Sequence, residues 1–339
     1  MSQAAGLNQV HELDRELETL LTSFDTNYVW NYGSVKEGLR QLYEKAKREQ
    51  WNSTTQLAWD TDVDVESEIF PQLANPLVGY PPYERLTPKE KVRLRHGQVS
   101  LQLSQFLHGE QGALIVASQL VGGVPWIDAK YYAGTQTMDE ARHVEVFSRY
   151  LHEKLEWEWP ITESLKQLLD ATIQDSRWDF KYLGMQILVE GLAMAAFGNL
   201  YQIAEDPLIK EIVYYVMRDE SRHVAFGVLS LDGYYREMPA AELRDREDFI
   251  VESSLLMRDR LVGDDVADVL GFDRAEVREI ILASPIMQAF RQQLFARVVP
   301  NVKRLGLLTP RVRRAFEEMK ILQFEDVDPE AQDRALGLV

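Results

Sequence analysis

The chain has 339 residues, 45% hydrophobic and 27% charged, with 37 Lys and Arg against 54 Asp and Glu and a formal net charge of −17. This is the composition of a soluble globular protein with room for a large core. Its acidity opposes nucleic-acid phosphates and anionic membrane surfaces, while leaving a basic partner protein open. With no cysteine, disulfides, thiolate catalysis, iron–sulfur clusters and Cys-ligated zinc or haem are excluded, so any metal site must use His, Asp and Glu.

The first residues, MSQAAGLNQVHELDRELETL, lack the apolar core of a signal peptide, and no run of about 18 apolar residues follows, so a soluble cytoplasmic protein without a membrane is expected. Residues 12–22 and 35–49 are short amphipathic helix candidates. The stretch WNSTTQLAWDTDVDVESEIF is irregular and reads as a wrap around the core. Thr87-Pro88 is a helix start, an N-cap followed by Pro at the first helical position, and a helix runs from there to about Leu120. A second long helix fits 126–154. Residues 162–204 read as two helices or one kinked helix, with Ser176 as an internal cap. Asp206-Pro207 starts another helix, expected to reach about Met238, and 240–262, 273–283, 286–304 and 310–321 are further helical segments before a loose tail. Long helices with short connections predict an all-α antiparallel bundle.

Within this bundle, MDEARHVEVF (138–147) contains a Glu-x-x-His pair, common on ordinary solvated helices. Its significance comes from a second copy: RDESRHVAFG (218–227) repeats Asp, Glu, Arg, His and Val at a constant offset of 80 residues. The same offset carries Glu110 onto Glu190 and Ala113 onto Ala193, and each lone Glu precedes its motif's Glu by 30 residues. Residues three apart share a helix face, so Glu140 and His143 point together, as do Glu220 and His223. Thirty residues is one long helix, a turn, and a return to the same height. Each half is then a helical hairpin presenting two carboxylates and an imidazole at one level. Two such hairpins would gather four carboxylates and two imidazoles in an apolar core. Glu110 and Glu190 lie in runs rich in apolar and small residues (GEQGALIVASQLV and MQILVEGLAMAAFGNL). Such burial is costly unless cations offset it, and two divalent ions would balance four carboxylates.

A Glu from each of two helices with Glu-x-x-His from each of the other two resembles the ferritin-like di-iron carboxylate superfamily. Its members include the ribonucleotide reductase small subunit, the hydroxylases of bacterial multicomponent monooxygenases and the aminoarene N-oxygenases. The likeness covers about residues 88–238. It implies one ferritin-like domain over 1–339, with a metal-binding four-helix core at 88–238, an N-terminal wrap at 1–87 and C-terminal helices at 239–339.

By carry-over the metal ligands are Glu110, Glu140, His143, Glu190, Glu220 and His223. Asp139 and Asp219 would accept hydrogen bonds from the ligand imidazoles, with Arg142 and Arg222 paired to those aspartates. The neighbours Ala113, Leu114, Phe147, Gln186, Ala193, Met194, Phe197, Val216 and Phe226 are ordinary core residues by type. They would also line a largely apolar cavity for O2 and a small organic molecule.

Three positions depart from the subfamilies. Phe147 stands where the reductase subunit has its radical tyrosine. Met194 stands where the multicomponent monooxygenases have a threonine, and Val216 where the N-oxygenases have a seventh, histidine ligand. Tyr150 is at the wrong offset for a radical and is expected in the core. The histidines His11, His96, His108 and His152 fall outside the repeat. His108, about 200° around the helix from Glu110, should face elsewhere.

The resemblance implies an O2-dependent di-iron oxygenase, with hydroxylation or N-oxygenation of a small, mostly apolar substrate. Two Fe ions, with Mn/Fe as the other metal set, a ferredoxin or reductase as electron donor, and a homodimer go with it. The alternatives are a ferroxidase or iron-handling protein without an organic substrate, a reductase-like radical or Mn/Fe oxidase, and a metal-free structural bundle. Metal content and dependence on an organic substrate separate them.

Overall fold

Capping side chains and first-turn prolines mark the helix starts at Pro88 and Pro207. The computed structural model describes residues 17–64, 75–260 and 262–338. Helix α1 is Glu37–Arg48. The segment before it does not form the helix expected at 12–22: residues 17–22 are non-helical, and 12–16 lie outside the described residues. Leu17 and Leu21 are exposed there and only Leu20 packs on the core, so little apolar surface is buried to offset the cost of nucleating a helix. The segment is instead tied down by Asn27, whose side-chain amide donates to the Gly123 carbonyl at 2.6 Å and whose backbone N–H donates to Gly122 at 2.9 Å. In the irregular stretch after α1, single helical turns form at Ser53–Gln56 and, further on, Pro81–Glu84. Trp51 and Trp59 are buried. The end of that stretch, 65–70, falls outside the described residues.

Helix α2, Pro88–Gly123, starts on the reciprocal capping box of Thr87 and Glu90, with Pro88 in its first turn. At 36 residues it is roughly 54 Å long. Helix α3, Ile127–Tyr150, runs back beside it and ends in a wide turn, Leu151–Leu155. Helices α4, Glu163–Gln174, and α5, Trp178–Ile203, follow. The expected cap at Ser176 is not used: α5 is preceded by Arg177, whose N–H donates to the Asp175 carboxylate at 2.8 Å. Helix α5 is long and apolar enough to cross a membrane, yet it is buried inside the bundle along almost its whole length. A seven-residue π-helical stretch, Leu183–Val189, interrupts it immediately before Glu190, a type of irregularity that is frequent at functional sites.

Helix α6, Pro207–Leu231, is capped by Asp206, which accepts from the N–H groups of Leu208 and Ile209. It stops short of Met238 because the chain turns at Asp232-Gly233, with Gly233 at φ 74°, where glycine is at no disadvantage. Helices α7 (Ala240–Arg260), α8 (Arg274–Ala283), α9 (Pro285–Gln293), α10 (Val298–Arg304) and α11 (Pro310–Glu318) complete most of the C-terminal part. The helix expected at 286–304 is two helices, split by a 3-10 turn at Leu294–Ala296. The tail is not loose: Asp328 caps α12, Pro329–Ala335, Leu338 is buried, and Asp333 pairs with Arg297 at 2.5 Å and accepts from Ser221 at 2.6 Å.

Helix α2 packs along α3 and α5 along α6, while α1 lies against α3 and α6 and α7 covers α4. No strand occurs among the described residues. Helices α2, α3, α5 and α6 are the four-helix core of a ferritin-like all-α fold, and the others flank it. Most of the apolar interior is one continuous cluster, with a smaller one around Leu77, Tyr80, Leu94 and Ile281.

Candidate metal centre

Each of the four core helices brings one carboxylate to the same level. Glu110 comes from α2, Glu140 and His143 from α3, Glu190 from α5, and Glu220 and His223 from α6; all six are buried. One ligand atom each from Glu110, Glu140, His143 and Glu220 lies within 4.8 Å of the others, and Glu140, Glu190 and His223 form a second such group. Glu140 belongs to both, and the two imidazole rings are 5.8 Å apart.

Around His143 Nδ1 stand Glu110 Oε2, Glu140 Oε2 and Glu220 Oε1, each at 3.2 Å. Around His223 Nδ1 stand Glu140 Oε1 at 3.0 Å and Glu220 Oε1 at 3.4 Å. The other ring nitrogen of each histidine is committed elsewhere: His143 Nε2 lies 3.2 Å from Asp219, and His223 Nε2 lies 3.3 Å from Asp139. With Nε2 donating to an aspartate, the neutral imidazole turns the lone pair of Nδ1 towards carboxylate oxygens that themselves only accept. A proton on Nδ1 serves one of those oxygens; a divalent cation among them serves all. Donor atoms bound to one ion at roughly 2.0–2.2 Å sit roughly 3 Å from each other, which is the spacing here. Glu140 Oε2, Glu190 Oε2, both oxygens of Glu220 and His223 Nδ1 are buried without a hydrogen-bond partner. Buried polar atoms are rarely left so unless an ion or ligand takes them. The residues fit a dinuclear carboxylate centre.

The electrostatics agree. Burial, then the charge of Glu220, pushes the Glu110 carboxyl up to about 8, and burial with Glu220 raises Glu190 well above the carboxylate range. Burial would raise Glu140 too, but His223 and His143 outweigh it and hold it low. Burial would lower both histidines. For His143 the bonds to Asp219 and to its three glutamate neighbours win, and for His223 the charges of Glu140 and Glu220 win, so both are raised. The protein on its own thus concentrates protons where cations would otherwise sit.

Asp139 and Asp219 do contact the imidazoles as expected, but crosswise, each serving the histidine of the other motif. Arg142 binds Asp139 at 2.6 Å and Asp219 at 2.8 Å. Arg222 is hydrogen-bonded to Asp219 and lies 3.7 Å from Asp139.

Four residues of this surrounding layer escaped the sequence reading. Glu49 pairs with Arg222 at 2.9 Å, Gln50 donates to Asp139 at 2.8 Å, and the Trp51 indole donates to Asp219 at 2.7 Å. They follow α1 directly but sit far from the motifs in sequence, and nothing periodic marks them. Gln136, one turn before Glu140, donates to Glu190 at 2.8 Å and to Glu140 at 3.0 Å.

Of the expected cavity residues, Phe147 and Phe197 stack at 5.8 Å and share Phe106, which was not anticipated. Gln186 joins Gln136. Ala113, Met194, Val216 and Phe226 are buried, while Leu114 and Ala193 are only half-buried; three residues on from Glu190 leaves Ala193 about 60° off its face. Tyr150 is a core residue bonded to Asp206. His96 and His108 are tied to the carbonyls of Leu155 and Trp159, each at 2.8 Å, and His152 pairs with Glu158. None of these three belongs to the cluster, and His11 lies outside the described residues.

No curated protein matches the chain. Among solved structures, it is similar to an R2-like ligand-binding oxidase with aerobically reconstituted metal cofactor after photoconversion. The identity is 17% and the TM-score 0.49, over 81% of this chain and 99% of that one. A variant of that oxidase with anaerobically reconstituted Mn/Fe cofactor gives 20% identity and a TM-score of 0.45, over 75% and 92%. The model of a family of oxygenases described as p-aminobenzoate N-oxygenase AurF matches residues 34–306, and the chain belongs to that family.

Proposed function

We propose that this chain N-oxygenates a small aromatic amine, using O2 and a pair of irons held by Glu110, Glu140, His143, Glu190, Glu220 and His223. The observation that carries this is the ring of three carboxylate oxygens, each 3.2 Å from His143 Nδ1, in a chain of the N-oxygenase family. Iron bound there would supply the redox chemistry that links an electron donor to O2. One oxygen atom goes to the amine nitrogen and the other leaves as water. That balance needs two electrons and two protons from outside, so a ferredoxin or reductase is part of the reading, as is a homodimer.

The chain's own side chains orient and exclude. Asp139 and Asp219 fix which imidazole nitrogen faces the metals. The Phe106, Phe147 and Phe197 rings give the centre an apolar aromatic wall suited to an aryl ring. Phe147 supplies no phenol, which favours oxygenation over storage of a tyrosyl radical.

The test is iron-loaded protein with a chemical reductant, O2 and a panel of aryl amines, p-aminobenzoate among them. Products are read by mass spectrometry with 18O2. Labelled N-oxygenated product, lost in Glu110→Ala, supports the reading. Iron oxidation with O2 consumption that no amine alters would instead favour the iron-handling alternative.

A further inference from the structure

One buried side chain breaks the match between the two halves of the centre. Gln136 and Val216 are related by the 80-residue offset, each one turn before a motif glutamate, and both are fully buried. Gln136 Nε2 donates to Glu190 Oε1 at 2.8 Å and Glu140 Oε1 at 3.0 Å, and its Oε1 accepts from Gln186 Nε2 at 3.3 Å. The direction of this chain is forced by chemistry. Glu140, between His143 and His223, is held as a carboxylate that only accepts, so the Gln136 nitrogen faces the two glutamates, its oxygen faces Gln186, and Gln186 must donate. Gln186 fits because residue 227 is glycine: a Cβ there would lie 2.6 Å from the Gln186 Cβ. The residue 80 positions before Gly227 is Phe147, so amides occupy one side of the pseudo-twofold and phenyl rings the other.

The consequence falls on the lone glutamates. Glu110 reaches His143 directly, at 3.2 Å, and among the described residues no amide bonds it. Glu190 is held by Gln136, and its second oxygen has no partner. Three carboxylate oxygens, the lone Glu110's among them, stand 3.2 Å from His143 Nδ1; nearest to His223 Nδ1 stand those of Glu140 at 3.0 Å and Glu220 at 3.4 Å, neither of them from the lone Glu190.

Resting on the dinuclear reading above, we propose that Gln136 makes the two metal positions unequal. The position built on His143, richer in carboxylate, fills first. The position built on His223 fills second and depends on the Gln136 amide to hold Glu190 in place. Gln136 is a positioning residue here, acting through Glu190.

The test is anaerobic titration of the metal-free full chain with Mn(II), followed by calorimetry and by the electron paramagnetic resonance of the bound ion. Wild type should show two events at least about tenfold apart in Kd. Glu190→Gln should remove the second and spare the first, and Glu110→Gln should weaken the first. Gln136→Leu should leave the first within about threefold of wild type and weaken the second by about tenfold or more. Circular dichroism checks its folding. If it does not fold, Gln136→Asn, which draws the amide back by one methylene, is read by the same criteria. Two ions bound with equal affinity, or a Gln136 variant that weakens both events alike or neither, would overturn the inequality alone. Binding of fewer than two ions per wild-type chain would overturn the dinuclear reading itself, and this proposal with it.

Discussion

His143 Nε2 lies 3.2 Å from Asp219 Oδ2, an aspartate that follows α5 in the chain and belongs to the motif of the other histidine. The reciprocal pair is His223 and Asp139, at 3.3 Å. Crossing the partners ties the two hairpins together through the very groups that set the imidazole tautomers. Asp219→Asn is therefore expected to weaken metal at the His143 position, not at the His223 position of its own motif. A hydrogen-bond partner to a ligand histidine is worth about tenfold to a hundredfold in metal affinity. Pairing Asp219→Asn and Asp139→Asn with Mn(II) titration resolves which position each one affects. If each aspartate acted on its own motif's position, the crossed geometry would be wrong.

Metal uptake should be coupled to proton release. Burial raises the Glu110 carboxyl to about 8, so in the metal-free protein at neutral pH this group carries a proton that a cation must displace. Affinity for Mn(II) should rise by about tenfold per pH unit for each displaced proton between pH 6 and 8. Stability without metal should move oppositely. A carboxyl with a folded pKa above its unfolded value favours the folded state at low pH, and that stabilisation is lost as pH rises towards 8. The metal-free melting temperature should thus fall from pH 5 to 8 while the metal-loaded one does not. Titration in two buffers of different ionisation enthalpy counts the protons; a count of zero would remove this account.

Much of this centre was legible because its chemistry is repeated. Four carboxylates and two imidazoles at one 80-residue offset report two helical hairpins, and helix periodicity then places them at one level. What broke the repeat was invisible for the same reason: Gln136 has Val216 as its counterpart, so the repeat that marks Glu140 leaves it unmarked. Glu49, Gln50 and Trp51 reach the centre only through the packing of α1 on α3 and α6, a tertiary fact with no local signature. The C-terminal helix is a different case. Asp328-Pro329 is the same start signal as Asp206-Pro207, and it was legible, but the short, polar segment after it masked the helix.

Trp51 donates its indole N–H to Asp219 at 2.7 Å, and the Arg142 guanidinium lies 4.6 Å from its ring centre. Trp51→Phe keeps much of the ring packing and removes a hydrogen bond to a buried charge. The expected cost is about 1.5–3 kcal/mol, measured by chemical denaturation. A change within error would show that Arg142, Arg222 and His143 satisfy Asp219 without the indole.

Gly227→Ala places a methyl group 2.6 Å from the Gln186 Cβ, in a fully buried part of α6. Overpacking of this kind costs about 1–3 kcal/mol, and relief by shifting Gln186 would strain its bond to Gln136. The melting temperature should drop, and Gln186→Gly should restore part of the loss in the double variant, because it removes the crowded Cβ itself. Full additivity of the two changes would mean that the new methyl is accommodated elsewhere.

Asp333 tests whether the C-terminal helix supports the metal-bearing helix. It is buried, pairs with Arg297 at 2.5 Å, and accepts from Ser221 on α6 at 2.6 Å. Asp333→Ala leaves the buried Arg297 guanidinium without its carboxylate, and breaking one side of a buried pair costs about 3–5 kcal/mol. Ser221 directly follows Glu220, so the loss should also be felt at the centre, as faster release of bound Mn(II). The double variant Asp333→Ala/Arg297→Met removes both charges and should regain most of the stability. Should Asp333→Ala melt like wild type, α12 would be an appendage and not part of the core's support.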